Sequence, residues 1–141
     1  VIGRKPKSGW ALQLGALAQA PAAHISRPED KGAKMTNHLH RGDLPDGLTL
    51  GSVVAIDTET MGLDPRRDRL CLVQLSSGNG DTHLVQIAQG QRVAPNLVRL
   101  LADPDVVKLF HFARFDIAAL HNAFGVVTAP VWCTKIASKL V

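Results

Sequence analysis

The sequence lacks the features that would commit it to several large protein classes. Only two of its 141 residues are cysteine, Cys71 and Cys133, too few for a disulfide framework. Both lie in apolar segments and read as reduced thiols in a reducing, cytoplasmic compartment. No run is long and apolar enough to span a membrane. There is no G-x-G-x-x-G and no G-x-x-x-x-G-K-[ST], so neither a dinucleotide fold nor a phosphate loop is indicated. Internal repeats are absent. Hydrophobic residues make up 45% of the chain and charged residues 20%. That balance excludes collagen-like and wholly disordered chains and leaves one ordinary domain, or a piece of one.

The net charge of +4 is unevenly placed. Residues 1–34 carry six basic and two acidic side chains, and residues 35–141 carry ten of each. The basic character belongs to the first segment alone, so the globular part gives little electrostatic argument for nucleic acid. The segment Arg4-Lys5-Pro6-Lys7, Trp10–Ala18 and Ala18-Gln19-Ala20 imitates a secretory signal, but Gln13 and Gly15 interrupt its apolar part. Residues 1–34 are expected to be a disordered or non-native extension, with a natural start at Met35. His38-Leu39-His40 has the look of a metal pair placed in a flexible start region.

Patterning becomes clear from Leu48. Ser52–Asp57 is a β-branched run of the kind found in strands buried on both faces. Leu70–Ser76 and Thr82–Ile87 are further strands, joined by turns at Gly62-Leu63-Asp64-Pro65 and Gly78-Asn79-Gly80-Asp81. Short connections predict an antiparallel meander. Leu97, Leu100 and Leu101 mark a helix that Asp103-Pro104 stops. Val106–Phe110 reads as a strand, and Arg114–Phe124 as a helix ended by Gly125. Val126–Val131 is expected to be a short fifth strand, and Lys135–Val141 the start of a helix. The order β-β-β-α-β-α-β-(α) predicts an α/β or α+β layered fold with a mixed sheet.

The chemistry is carried by carboxylates. Asp57 and Glu59, in Asp57-Thr58-Glu59-Thr60, stand at i and i+2 at the end of the most hydrophobic strand. They therefore share a face, roughly 6.5–7 Å apart along the backbone. Two acids on one face repel, and a counter-cation relieves the repulsion. Oxygen ligands suit Mg²⁺ or Mn²⁺, and a metal pair about 3.5–4 Å apart fits such acids. Against this, D-x-E is common by chance and strand ends are polar. Asp116 falls in the first turn of the Arg114–Phe124 helix. The helix dipole favours a carboxylate there without any metal.

Together these segments resemble a known family. Val53-Val54-Ala55-Ile56-Asp57-Thr58-Glu59-Thr60-Met61-Gly62-Leu63 runs on to Leu70-Cys71-Leu72-Val73-Gln74-Leu75-Ser76. With Lys108–Asp116 and Cys133–Leu140, this is similar to the ribonuclease D type of 3′-5′ exonuclease. That type belongs to the four-acid (D-E-D-D) exonucleases. The resemblance covers about Leu48–Val141 and implies a ribonuclease H-like, three-layer α/β fold with a mixed sheet, cut short before its C-terminal helices. It makes residues 35–141 a partial exonuclease domain. It implies two divalent metal ions, Mg²⁺ or Mn²⁺, held by Asp57, Glu59 and Asp116. It also implies RNA 3′ ends as partner, with tRNA precursors among them. Met61, Gly62, Leu63, His111 and Phe115 are the implied substrate contacts. No protein partner is inferable. Arg66, Arg67 and Arg69 form a basic loop that could meet phosphates, although Asp64 and Asp68 are interleaved with them.

The chain departs from the family in one respect. The third motif, with its fourth acid and a Tyr or His that aligns water, is absent. Residues 117–141 hold no Asp or Glu, and the whole chain has no Tyr. His121 and Cys133 are the remaining downstream groups with metal-binding chemistry. The expectation is an incomplete, inactive fragment of an exonuclease, with exposed apolar surface. The competing readings are a non-catalytic nucleic-acid-binding module of the same fold and an ordinary structural domain. If the fragment reading holds, the frame beyond the Val141 codon stays open and soon encodes an Asp with a Tyr a few residues before it. A stop codon there would favour the binding module.

Overall fold

A computed structural model describes residues 35–64 and 66–141. The expectations for residues 1–34, and the part of the first turn at Pro65, lie outside the described residues. Six strands and three helices follow in the order β1 (Thr36–Arg41), β2 (Val53–Thr60), β3 (Leu70–Ser76), β4 (Asp81–Gln86), α1 (Pro95–Ala102), β5 (Val107–Phe110), α2 (Arg114–Phe124), β6 (Val131–Cys133) and α3 (Thr134–Ala137). They form one mixed sheet in the order β1-β4-β3-β2-β5-β6. The predicted meander is present, since β2–β3 and β3–β4 are antiparallel. The outer pairs β1–β4, β2–β5 and β5–β6 are parallel.

The strands alternate more strictly than a doubly buried strand would. In β2, Val54, Ile56 and Thr58 are buried, whereas Val53, Ala55, Asp57 and Glu59 are exposed. Ser52–Asp57 is thus not buried on both faces. Its apolar residues outnumber its buried ones because Val53 and Ala55 lie on a face that no described element covers. On the other face, Val54, Ile56, Val73, Leu75, Val85 and Phe110 pack with Leu97 and Leu101 of α1 and Ala119 and Leu120 of α2. The described residues therefore form a sheet with helices on one side. Burying each such aliphatic side chain contributes about 1.5–3 kcal/mol.

Helix ends explain the connections. α1 starts on Pro95, which needs no amide partner there. Its free amides are capped from a distance. The Asp43 carboxylate accepts from Asn96 N and Leu97 N, both at 2.8 Å, which ties the segment after β1 to the helix. α2 ends as expected at Gly125, whose φ of 69° suits glycine.

Three expectations change. The supposed flexible start is strand β1. It is short and lies at the sheet edge, with its pattern carried by polar side chains. Val126–Val131 is not a strand, because pairing with β5 begins only at Val131. Val126 and Thr128 are still buried, so the burial period survives without the ladder. The last helix covers only Thr134–Ala137, followed by turn bonds from Lys139 N to Ile136 O and from Leu140 N to Ala137 O.

Lys108 is fully buried on β5. Its ammonium donates to the carbonyls of Asp103 (2.6 Å), Val106 (2.7 Å) and Ala129. Burial pushes its pKa below the ordinary lysine value, partly offset by Asp103. Lys108→Met removes the donor from three carbonyls at once. The expected loss is about 3 kcal/mol, read as a lower urea midpoint than that of a Lys139→Met control. Equal midpoints would show that the carbonyls find water instead.

Candidate active site

The site is built at the carboxyl end of β2. Strand alternation places Asp57 and Glu59 on the open face and turns Thr58, between them, to the covered face. β5 runs parallel to β2, so the chain leaving β5 rises at the same end of the sheet. It turns sharply there. Phe112 has φ 62°, an unusual backbone for a β-carbon-bearing residue and one that costs about 1 kcal/mol or more. The turn launches α2, and Asp116 falls in its first turn.

Asp116 is only 4% exposed. Its Oδ1 accepts from Thr58 Oγ1 at 2.7 Å and from Thr58 N at 3.1 Å. Burial pushes its pKa above the usual carboxylate value, Thr58 pulls it down, and the charge of Asp57 pushes it up again. The structure thus brings Asp57 and Asp116 into electrostatic contact, although they are 59 positions apart in sequence. Glu59 points outward beside them, with Gln74 Nε2 at 3.4 Å from Oε1. Among the described residues, none of the three acids has a basic side chain in salt-bridge range.

The open face beside Asp57 forms a hollow of about 570 Å³, lined by Ala55, Asp57, Gln74, Ser76, Leu109, His111 and Thr134 among others. His111 Nδ1 pairs with Thr134 Oγ1 at 2.9 Å, and that hydroxyl donates to Phe110 O at 3.2 Å. The ring of His111 is therefore held at the rim by Thr134, the first residue of α3. Met61 and Leu63 are 68% and 88% exposed in the turn after β2. A β-carbon at Gly62 would collide with the Asp68 carboxylate, so any other residue there would have to displace that side chain from its contacts with Asp64 N and Arg67. Met61, Leu63 and Phe115 do not line the hollow. Phe115 is half-buried on α2, whereas Phe112 is exposed and carries Lys135 Nζ 3.7 Å above its ring.

Other candidates fall outside this group. Arg67 is paired with Asp68 at 2.8 and 2.9 Å, and the Arg67 contact holds the Asp68 carboxyl down at about 2. Arg66 lies 3.5 Å from Asp64, and Arg69 donates to Ile87 O. These contacts fit a mixed-charge loop. His121 is exposed near the end of α2 and pairs with Val126 O. Cys133 is half-buried, and the Ala113 amide, followed by that of Ile136, draws its thiol below the ordinary value.

Sequence reasoning missed Thr58, Gln74 and Thr134. Alternation alone turns Thr58 away from the acids, but nothing local shows that it meets Asp116. The donor set itself suits a hard cation. It consists of three carboxylates with no protein cation beside them, one of them buried and pushed toward protonation by another. Among the described residues, no three such groups already surround one point.

Comparison with known proteins identifies the family. Residues 28–141 match the family described as 3′-5′ exonuclease. Ribonuclease D of Acidiphilium cryptum is 38% identical over 97 residues, which span 69% of this chain and 24% of that protein. Among solved structures, NrnC of Brucella melitensis superposes with a TM-score of 0.73 at 57% identity, covering 75% of this chain and 52% of that one. It has also been solved with Mg²⁺ and with pGG. Ribonuclease D of Escherichia coli superposes with a TM-score of 0.51 at 27% identity, covering 62% of this chain and 23% of that one. The chain spans about a quarter of the length of the ribonuclease D relatives and about half that of NrnC.

Asp116→Asn keeps an oxygen for both Thr58 donors and removes a buried charge. In metal-free buffer it should raise stability at pH 7. The sign follows from the raised pKa. The Asp116 contribution is fully present below pH 3.8 and is lost as pH rises through the higher folded value. The variant's advantage should therefore grow between pH 4 and 7 in urea titrations. A constant or reversed difference would show that Asp116 ionises without penalty.

Proposed function

The chain belongs to the 3′-5′ exonuclease family, and from that premise we propose that its parent protein removes nucleotides from RNA 3′ ends by a two-metal mechanism. The observation that carries this reading is that two elements bring three carboxylates to the carboxyl end of β2. Asp57 and Glu59 stand on the open face of β2, and Asp116 is fastened to Thr58 between them.

Asp57, Glu59 and Asp116 would hold two divalent cations, Mg²⁺ or Mn²⁺. Asp57 would serve both, Glu59 would serve one and orient the attacking water, and Asp116 would serve the other. When bound, such ions lower the pKa of water and stabilise charge on the attacking and leaving oxygens. The other steps fall to the protein. Thr58 fixes the Asp116 carboxylate through two hydrogen bonds. His111 donates from Nδ1 to Thr134, whose hydroxyl donates on to Phe110 O, so the neutral ring keeps Nε2 as an acceptor for a sugar hydroxyl at the rim. Met61 and Leu63 offer exposed apolar side chains to the terminal nucleoside, with Gly62 holding their turn against Asp68. Phe115 supports the base-side wall from α2. The product would be a nucleoside 5′-monophosphate.

The substrate is RNA with a free 3′ end. The complex of the 56% identical Brucella melitensis NrnC with pGG makes a dinucleotide the first substrate to test, ahead of tRNA precursors. Residues 117–141 supply no further carboxylate, so three acids alone would hold the second ion weakly. The 141-residue chain by itself is therefore proposed to be inactive. The reduced thiols Cys71 and Cys133 suit a reducing cytoplasm.

The test is release of 5′-mononucleotides from pGG and from a 3′-labelled tRNA precursor, with and without Mg²⁺ or Mn²⁺. The longer protein should cleave only with metal, and Asp57→Asn should lower kcat by at least about 100-fold. The 141-residue chain should show no turnover. Metal-dependent binding without cleavage by the longer protein would establish a binding module instead.

A further inference from the structure

A second group of ligating side chains lies on the helix-side face of the sheet, away from the open face that carries Asp57 and Glu59. β1 and β4 run parallel, with Thr36 opposite Asp81, His38 opposite His83, and His40 opposite Val85. Period two places His38 and His40 on one face, and this register adds His83 and Asp81 to it. His40 Nε2 lies 3.0 Å from His83 Nδ1. The His38 and His83 rings stack with centroids 4.9 Å apart, and the His40 and His83 centroids are 5.3 Å apart. Asp81 Oδ1 is 3.4 Å from His38 Nε2.

This arrangement concentrates three imidazoles where an ordinary strand pair would place aliphatic residues. The His40–His83 contact holds one shared proton, so one of its nitrogens presents a lone pair to the other. His83 is 7% exposed. Burial, then His38 and His40, pushes its pKa below the usual histidine value. Burial thus favours the neutral imidazole, the form that ligates a metal.

We propose that His38, His40 and His83 form a site for a divalent transition metal of the zinc class, with Asp81 as the outer carboxylate that orients His38. Imidazole nitrogen suits zinc, copper and nickel, whereas the carboxylates at the end of β2 suit magnesium or manganese. Zinc binds histidine nitrogen at about 2.0–2.1 Å in tetrahedral geometry, which sets two ligand nitrogens roughly 3.3 Å apart. The His40 and His83 nitrogens face each other 3.0 Å apart in a hydrogen bond, so both rings must tilt for their lone pairs to converge on an ion. The shared proton moves to the other nitrogen of its ring, so both imidazoles stay neutral. His38 has Nε2 toward Asp81 and would ligate through Nδ1, the arrangement in which a carboxylate fixes tautomer and ring angle. Among the described residues, no three such side chains already surround one point. His38 must therefore rotate out of its stack, and its side chain is 41% exposed, which leaves room for that motion. A water completes the tetrahedron. The consequence is a cross-link from edge strand β1 to β4.

The test uses the 141-residue chain and Co²⁺ as a spectroscopic stand-in for Zn²⁺. One equivalent of Co²⁺ should give the intense visible bands of a tetrahedral site, unchanged by excess Mg²⁺. Zn²⁺ should abolish the bands and raise Tm. His38→Ala and His40→Ala, both on the partly exposed edge strand, should remove the bands while keeping the far-ultraviolet circular dichroism. Asp81→Asn should weaken binding by about 10–100-fold. Binding should weaken in acid, because protons compete with the metal for imidazole nitrogen. The proposal is overturned if the bands are absent, if they persist in the His38→Ala, His40→Ala double variant, or if Asp57→Asn or excess Mg²⁺ removes them.

Discussion

The structure depends on the two-residue period of β2 at the centre of a sheet covered on one side. Val54 and Ile56 must face the helices to be buried, so Asp57 and Glu59 must face away. The same rule sends Thr58 back toward α2. There it is the only buried polar residue of β2, and it needs a partner. Asp116 supplies one. A single alternation thus presents two acids to the open side and anchors the third from the covered side. A one-residue slip of β2 would bury both outer carboxylates and undo the site and the core together.

Two buried charges are treated differently in this fold. Lys108 gives its ammonium protons to three carbonyls at the ends of α1 and of the 126–130 segment, so its cost is met within the protein. Asp116 receives two hydrogen bonds from Thr58 but no cation, and Asp57 adds repulsion. The first arrangement serves the fold alone. The second leaves an electrostatic deficit within the protein, which is what the proposed divalent ion would relieve.

Local strain gathers at the same end of the sheet. Phe112 takes a left-handed conformation between β5 and α2, and Gly62 allows the turn after β2 to close on Asp68. Both devices bring a chain segment close to the acids. At the opposite side, β1 is tied in by its parallel pairing with β4 and by Asp43, which caps α1 from across the sheet. The edge strand is thus held by polar contacts, whereas the centre is held by apolar ones.

Much of this was legible locally. Period two placed Asp57 and Glu59 on one face, the leucine spacing located α1, and Gly125 ended α2. The run from Val53 to Ser76 with Lys108–Asp116 was enough to indicate the family. Tertiary structure decided what local pattern cannot encode. Whether Val53 and Ala55 are buried depends on a layer over the open face, and β1 becomes a strand only because β4 offers it an edge. The meeting of Thr58 with Asp116, and of His38 and His40 with His83, spans 58 and more than 40 positions. Hydrophobic period reports which side of an element is buried. It carries no information about the element that buries it, because that choice is made by sheet order and register.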